Sequence, residues 1–403
     1  MNFFYKIYAR SYQKIMWVAE HFLNFNEPKL VTGSDSLLKI PSILKKEGKK
    51  GVLIVTDDGI FKLGLTDSLQ AKLKEEGVPF DVYHGVVPNP TINNVKEALS
   101  IYKEKGFDAV IAVGGGSSMD CAKMVAACST NPNKPIPKMK GVLHVSHKPD
   151  LIIAVPTTAG TGSEATLAAV ILDSETHDKY AINDPKLIPS YAVLEPKLLI
   201  GLPSKVTSTV GIDALCHAVE AYIGGENTKK TKKYAEEAIK GIYDYLYLAY
   251  TEPTNLTYRT KTQVAAYKAG VSFTRAYVGY VHSMSHALGA IYNTPHGLAI
   301  SIVLPYVLEA YGAKSYKKLA KLTDICGIKT EKDDVATKAQ AFIGWIKDIE
   351  NKMGIPNTIK GIADPKDFAL MASHAVKEAN PLYPVPKIFT QDEIVELYKK
   401  MYI

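Results

Sequence analysis

The spacing of apolar residues changes part-way along the chain. Between about residues 28 and 200, short apolar runs alternate with amphipathic stretches. "KGVLIVTDD" predicts a strand and a turn, "LTDSLQAKLKEEG" a helix stopped by glycine, and "FDVYHGVVPNPT" a strand and a loop. "TINNVKEALSIYKEKG" predicts a helix, "FDAVIAVGGGSS" a strand running into glycines, and "LIIAVPTTAGTGSE" a second strand of that form. Strand, helix, strand at these lengths predicts parallel βαβ units in a Rossmann-like α/β half. Beyond residue 200 the apolar period becomes helical, as in "KVTSTVGIDALCHAVEAYIGG", "YVHSMSHALGAI" and "DDVATKAQAFIGWIKDIENKMG". The expected organisation is therefore an α/β domain over 28–200 and an all-helical domain over 201–403. No low-complexity linker separates them, and a cleft between such halves is a natural ligand site.

Residues 1–27 stand apart as an extension. Phe4, Ile7, Tyr8, Tyr12, Ile15, Ala19 and Phe22 recur at helical spacing. This predicts an amphipathic helix that docks these residues on the protein body or on a partner subunit, with a membrane-surface helix as the alternative. Lys6, Arg10, Lys14 and Glu20 interrupt every apolar run, and no small-residue cleavage site follows, so the segment does not read as a signal peptide.

Composition narrows the class. The net charge of +7 is spread along the chain rather than clustered with aromatics, which argues against a nucleic-acid groove. No apolar run reaches the roughly 18 residues of a membrane span. Cys121, Cys128, Cys216 and Cys326 are scattered without a CxxC pair, which suits a reducing cytoplasm.

The glycine-rich strand ends carry the first chemistry. In "AVGGGSSMDCAKMVAA" glycines let the backbone approach a ligand, and Ser117, Ser118 and Asp120 fall at a helix start, whose dipole favours a phosphate. "VPTTAGTGSEAT" adds the hydroxyls of Thr157, Thr158, Thr161 and Ser163 at a second strand end. Two such loops on one sheet point to a nucleotide, although each alone also reads as a tight turn. Asp57 follows the first clear strand, where a carboxylate accepts ribose hydroxyls and repels a 2′-phosphate, favouring NAD over NADP; Asp-Asp-Gly is equally good turn chemistry. A GxGxxG fingerprint is absent.

The second chemistry is metallic. Asp213 and His217 lie four apart on a helical pattern, as do His282 and His286, and His296 follows ten residues later. One carboxylate and several imidazoles on facing helices suit Fe(II), Zn(II) or Mn(II). Three or four protein ligands suffice, so spacing leaves open which late histidine stands outside the set.

"GGGSSMDCAK", "PTTAGTGSEAT", "GIDALCHAVEAY" and "HSMSHALGAIYNTPHG" together resemble the iron-dependent (group III) alcohol dehydrogenase family, in order from about residue 28 to the C-terminal helix. The resemblance implies a dehydroquinate synthase-like architecture and a metal held by Asp213, His217, His282 and His296. His286 matches a histidine near the metal that is not a ligand, a candidate proton relay. Asp57, Asn89, Gly115, Gly116, Ser117, Asp120, Thr157, Thr158 and Lys179 match positions lining the NAD(P) site. Phe273 matches a substrate-pocket position. Arg275, Tyr277 and Tyr280 replace smaller or amide residues of many relatives and are expected to narrow or polarise that pocket. The implied activity is hydride exchange between NAD(P) and a primary alcohol or diol and its aldehyde, with Fe(II), or alternatively Zn(II), polarising the oxygen. A homodimer or higher homo-oligomer is implied too. The competing readings are an NAD-retaining lyase or cyclase resembling dehydroquinate synthase, a polyol or glycerol dehydrogenase, and a non-catalytic protein with a closed structural metal site.

Overall fold

A computed structural model describes residues 3–20, 22, 23, 25–176 and 178–403, so positions 1, 2, 21 and 24 of the N-terminal extension lie outside the described residues. The strands are β1 (Lys29–Thr32), β2 (Val52–Asp57), β3 (Phe80–Val86), β4 (Ala109–Gly114), β5 (Gly141–Val142), β6 (Leu151–Pro156), β7 (Ala168–Leu172), β8 (Lys179–Asn183) and β9 (Tyr191–Leu194). The helices before residue 200 are α1 (Phe3–Glu20), α2 (Ile40–Lys46), α3 (Asp58–Lys62), α4 (Asp67–Glu75), α5 (Ile92–Glu104) and α6 (Gly116–Thr130). After it come α7 (Ser204–Ile223), α8 (Lys229–Thr251), α9 (Leu256–Ala276), α10 (Tyr280–Tyr292), α11 (His296–Tyr311), α12 (Ala313–Cys326), α13 (Val335–Lys352), α14 (Phe368–Ala379) and α15 (Gln391–Tyr402).

The chain forms two compact units, one of residues 24–201 and 254–267, the other of 1–23, 202–253 and 268–403. In the first, six strands form a sheet in the order β1-β9-β6-β4-β2-β3, parallel throughout. Its central strands β4 and β6 are buried along their whole length, as continuous apolar runs must be when helices cover both faces. The chain moves outward from β2 to β3, then returns to place β4 on the other side of β2. The strand order therefore reverses between β2 and β4, the place where such sheets bind ligands. A separate three-stranded sheet, β5-β8-β7, contains an antiparallel hairpin that the strand–helix alternation did not reveal. The expected parallel α/β half is otherwise as read.

The second unit is helical, and among the described residues no strand follows β9. α7 is buried from Gly211 to Ile223, so its polar residues must be paired or ligated there. No single helix among the described residues is long and apolar enough to cross a membrane.

The N-terminal helix forms but docks by the face opposite the expected one. Ala9 and Gln13 are buried, whereas Phe4, Ile7, Tyr8, Ile15, Ala19 and Phe22 are exposed. The surface it meets offers backbone carbonyls. Gln13 Nε2 donates to the carbonyls of Pro381 and Tyr383 at 3.0 and 2.7 Å, and an Arg10 guanidinium nitrogen donates to that of Pro386 at 3.3 Å. Partly buried carbonyls favour donors, and these bonds hold the helix in this rotation.

Candidate functional site

The helical unit brings the sequence's carboxylate and histidines together. Asp213 and His217 share one face of α7, His282 lies in the first turn of α10, and His296 opens α11. Asp213 Oδ1 lies 3.8 Å from His217 Nδ1, 3.8 Å from His282 Nε2 and 3.4 Å from His296 Nε2. Donor atoms of Asp213, His217 and His282 all fall within 4.8 Å of one another, and all three residues are buried. Asp213 Oδ1, His217 Nδ1 and His282 Nε2 have no hydrogen-bond partner. Three converging orphaned polar atoms would be costly to bury as they stand, and a divalent cation among them removes the cost. The donor set fits such an ion.

The electrostatics are those of a ligand set. Burial pushes the His217 and His282 imidazoles down to about 3, so both keep a lone pair at neutral pH. Burial opposes ionisation of Asp213, but the neighbouring His217, His296 and His282 outweigh it and hold the carboxyl well below its usual range.

The surrounding groups aim these rings. Glu220, one turn beyond His217, has its Oε2 at 2.6 Å from His282 Nδ1, and its Oε1 accepts from the Val281 amide at 2.8 Å. With the Nδ1 proton shared with Glu220, the Nε2 lone pair faces Asp213, the carboxylate–histidine arrangement that orients metal ligands. Gly279 is required here, because a Cβ would stand 2.7 Å from Glu220 Oε1. Phe273 stacks on His217 with ring centroids 4.1 Å apart and supplies an apolar wall.

His286 is drawn a different way. Its Nδ1 lies 2.7 Å from Glu378 Oε1 on α14, an oxygen that also accepts from the Tyr383 hydroxyl at 3.0 Å, and its ring stacks on His296 at 5.2 Å. Burial would raise Glu378, yet His286 and the Tyr383 hydrogen bond hold it below its usual value. Tyr280 does not border a pocket; it is fully buried, and its hydroxyl bonds Asn380 and the backbone of Phe389. Arg275 and Tyr277 are half-buried near the end of α9.

The sheet unit gathers the other predicted residues around the strand-order reversal. Asp57 ends β2 and caps α3, Oδ1 accepting from the Ile60 amide at 3.0 Å. Gly114 ends β4 with φ +151°, and a Cβ there would meet Ser118 Oγ at 2.4 Å and lie 3.6 Å from Asp57 Oδ2. Gly115 is the N-cap of α6 and offers no side-chain cap; Gly116 and Ser117 follow in the first turn. The Thr157 amide donates to the Gly114 carbonyl at 3.0 Å, joining the two glycine-rich loops, and Thr158 follows half-buried. Asn89 and Lys179, ninety residues apart, meet at 2.6 Å. Asp120 accepts from Ser163 Oγ and the Val170 amide, so it braces the second loop.

Lys123 was not singled out by the sequence. Fully buried, it reaches Ser163 Oγ, the Thr166 carbonyl and hydroxyl and the Ala168 carbonyl at 2.8–3.1 Å. Burial pulls its ammonium down to about 8, against the pull of Asp120 and Glu164. Glu220 could have been found, since it continues the Asp213–His217 face of a helix. Glu378, over 90 residues from His286, left no local signal.

With both constellations described, comparison with known proteins is decisive. Residues 27–196 match the family model for iron-containing alcohol dehydrogenase, and residues 207–402 match that for the C-terminal part of the Fe-containing alcohol dehydrogenase family. The chain belongs to the iron-containing alcohol dehydrogenase family. Alcohol dehydrogenase 4 of Schizosaccharomyces pombe is 36% identical over 372 residues, covering 91% of this chain and 86% of that one. The crystal structure of a 1,3-propanediol oxidoreductase aligns with TM-score 0.90 and 31% identity over 94% of this chain and all of that one. Sulfoacetaldehyde reductase from Bifidobacterium kashiwanohense, solved with NAD+, aligns with TM-score 0.85 and 26% identity over 94% and 99%. This family member is thus an oxidoreductase interconverting an alcohol and its aldehyde, and the lyase alternative is not favoured.

Proposed function

We propose that the enzyme is NAD-linked and iron-dependent, and reduces short aldehydes to primary alcohols or diols and the reverse. The observation that carries this reading is the convergence of Asp213 Oδ1, His217 Nδ1 and His282 Nε2, buried and without hydrogen bonds. Asp213, His217, His282 and His296 would hold the ion. A divalent iron held by these residues would supply Lewis-acid polarisation of the substrate oxygen.

The chain's own residues do the rest. Glu220 fixes the His282 ring, and Phe273 keeps one side of His217 apolar. His286 would serve as the proton relay: its Nδ1 is held by Glu378, which orients the imidazole to exchange a proton with the alcohol oxygen. In the sheet unit, Gly115, Gly116 and Ser117 open α6 and suit a pyrophosphate, while Thr157, Thr158, Asn89, Lys179 and Asp120 form or brace the surrounding loops. Asp57 Oδ2, beside Gly114, suits ribose hydroxyls and supports NAD over NADP. Four buried, unpaired cysteines fit a cytoplasmic setting.

The test is anaerobic NADH oxidation with a panel of short aldehydes, using metal-stripped enzyme reloaded with Fe(II) or Zn(II). Turnover restored by Fe(II) with NADH is expected. Turnover undiminished in the stripped enzyme, or equal rates with NADPH, would overturn the metal or the cofactor assignment respectively.

A further inference from the structure

The outward face of α1 carries a line of large apolar residues at alternating four- and three-residue spacing: Phe4, Tyr8, Ile15, Val18 and Phe22, with Ser11 at its centre. The side chains are exposed, Phe4 by 73%, Ile15 by 68% and Phe22 by 86%, and Ile7 flanks the line. The turn after the helix carries the line onward, the Phe22 amide donating to the Ala19 carbonyl. Soluble monomers rarely leave so much contiguous apolar surface in water. The segment also lies ahead of the family match, which begins at residue 27, so it is an addition to the shared fold.

We propose that this stripe is a self-association surface, on which α1 of a second copy packs. Three observations select that occupant. The four-three spacing makes a continuous seam of the kind helices bury against helices, with Ile7 and Trp17 exposed beside it. At roughly 150–250 Å² for each large side chain and exposures of 49–86%, Phe4, Ile7, Tyr8, Ile15, Val18 and Phe22 together expose on the order of 800 Å², about what each partner gives a standard dimer interface. A lipid surface would also want a polybasic face of about four to eight cations. α1 holds Lys6, Arg10 and Lys14, and Arg10 is turned inward to Gln13 and Pro386. The small Ser11 sits where two crossing helices approach most closely, and a two-fold pairing of identical stripes is self-complementary.

The test is sedimentation of the full-length, metal-loaded enzyme over a range of concentrations, beside Ile15→Glu/Val18→Glu. The wild type is expected to associate, and the double variant to associate at least tenfold more weakly with unchanged activity per chain. Identical association of the two, or a wild type monomeric throughout, would overturn the proposal. Co-flotation of a monomeric wild type with anionic phospholipid vesicles, lost in the double variant, would overturn it in favour of a membrane. A second measurement is independent of that variant's folding. All four native cysteines are buried, so Ser11→Cys should form a disulfide-linked dimer on air oxidation and Lys6→Cys, off the seam, should not. Equal cross-linking of the two would again overturn it.

Discussion

At the residue scale, the candidate metal centre depends on groups that never reach its donor atoms. Glu220 holds His282 from behind at 2.6 Å. Glu220→Gln keeps the shape but weakens that hold. Metal affinity is expected to fall by about ten- to a hundredfold, the usual effect of losing a ligand's supporting partner. Titration of metal into the stripped protein measures it, with Glu220→Asp recovering part of the loss; unchanged affinity would assign Glu220 to packing alone. Burial also makes a pH prediction. The unfolded chain titrates His217 near 6.5, while the metal-free fold holds it down to about 3. Its neutral form stabilises the fold fully above the unfolded value, and that contribution is lost as pH falls toward the folded one. His217→Asn cannot titrate, so between about pH 8 and pH 5 it should gain roughly 2 kcal/mol on the metal-free wild type. Denaturant unfolding at both pH values checks this; a constant difference would contradict it.

At the element scale, two glycine-rich strand ends and the start of α6 behave as one construction. Gly114 has a backbone that side-chain-bearing residues avoid, and Ser118 fills the space a Cβ would need. Lys123 and Asp120, both on α6, tie the helix to the loop after β6 and to β7. Gly114→Ala is expected to cost about 1–3 kcal/mol of stability, as strained backbone positions do, and to weaken NADH binding at least about tenfold by displacing the first turn of α6. Fluorescence titration with NADH, with metal content as the control, tests this. Full affinity would mean the loop tolerates the shift. The metal content should not change, because the donor residues lie on α7, α10 and α11.

At the scale of the molecule, the chain contains two compact units, each with its own buried core. Chains of this kind depart from two-state unfolding. A ligand binding only one native unit stabilises that unit by about 2.7 kcal/mol at a hundredfold excess over Kd. Calorimetry should therefore resolve two transitions, iron raising one and NADH the other. A single transition raised equally by both would show that the units unfold together.

Local pattern alone determined a good deal. Parallel strands covered on both faces read as continuous apolar runs, so β4 and β6 were visible, as was the switch to helical period after residue 200. Asp213 with His217 stood out because polar residues four apart on an apolar helix need a reason to be there. The β7–β8 hairpin was legible in principle, since its buried positions alternate, but the run of helices and strands around it masked the shorter period. What tertiary structure alone decided were meetings between distant residues: His286 with Glu378, Asn89 with Lys179, and Lys123 with the loop after β6. It also decided which face of α1 turns inward. Sequence periodicity shows that a helix has an apolar side, but the receiving surface sets its rotation, and here that surface presents carbonyls that Gln13 and Arg10 reach as donors.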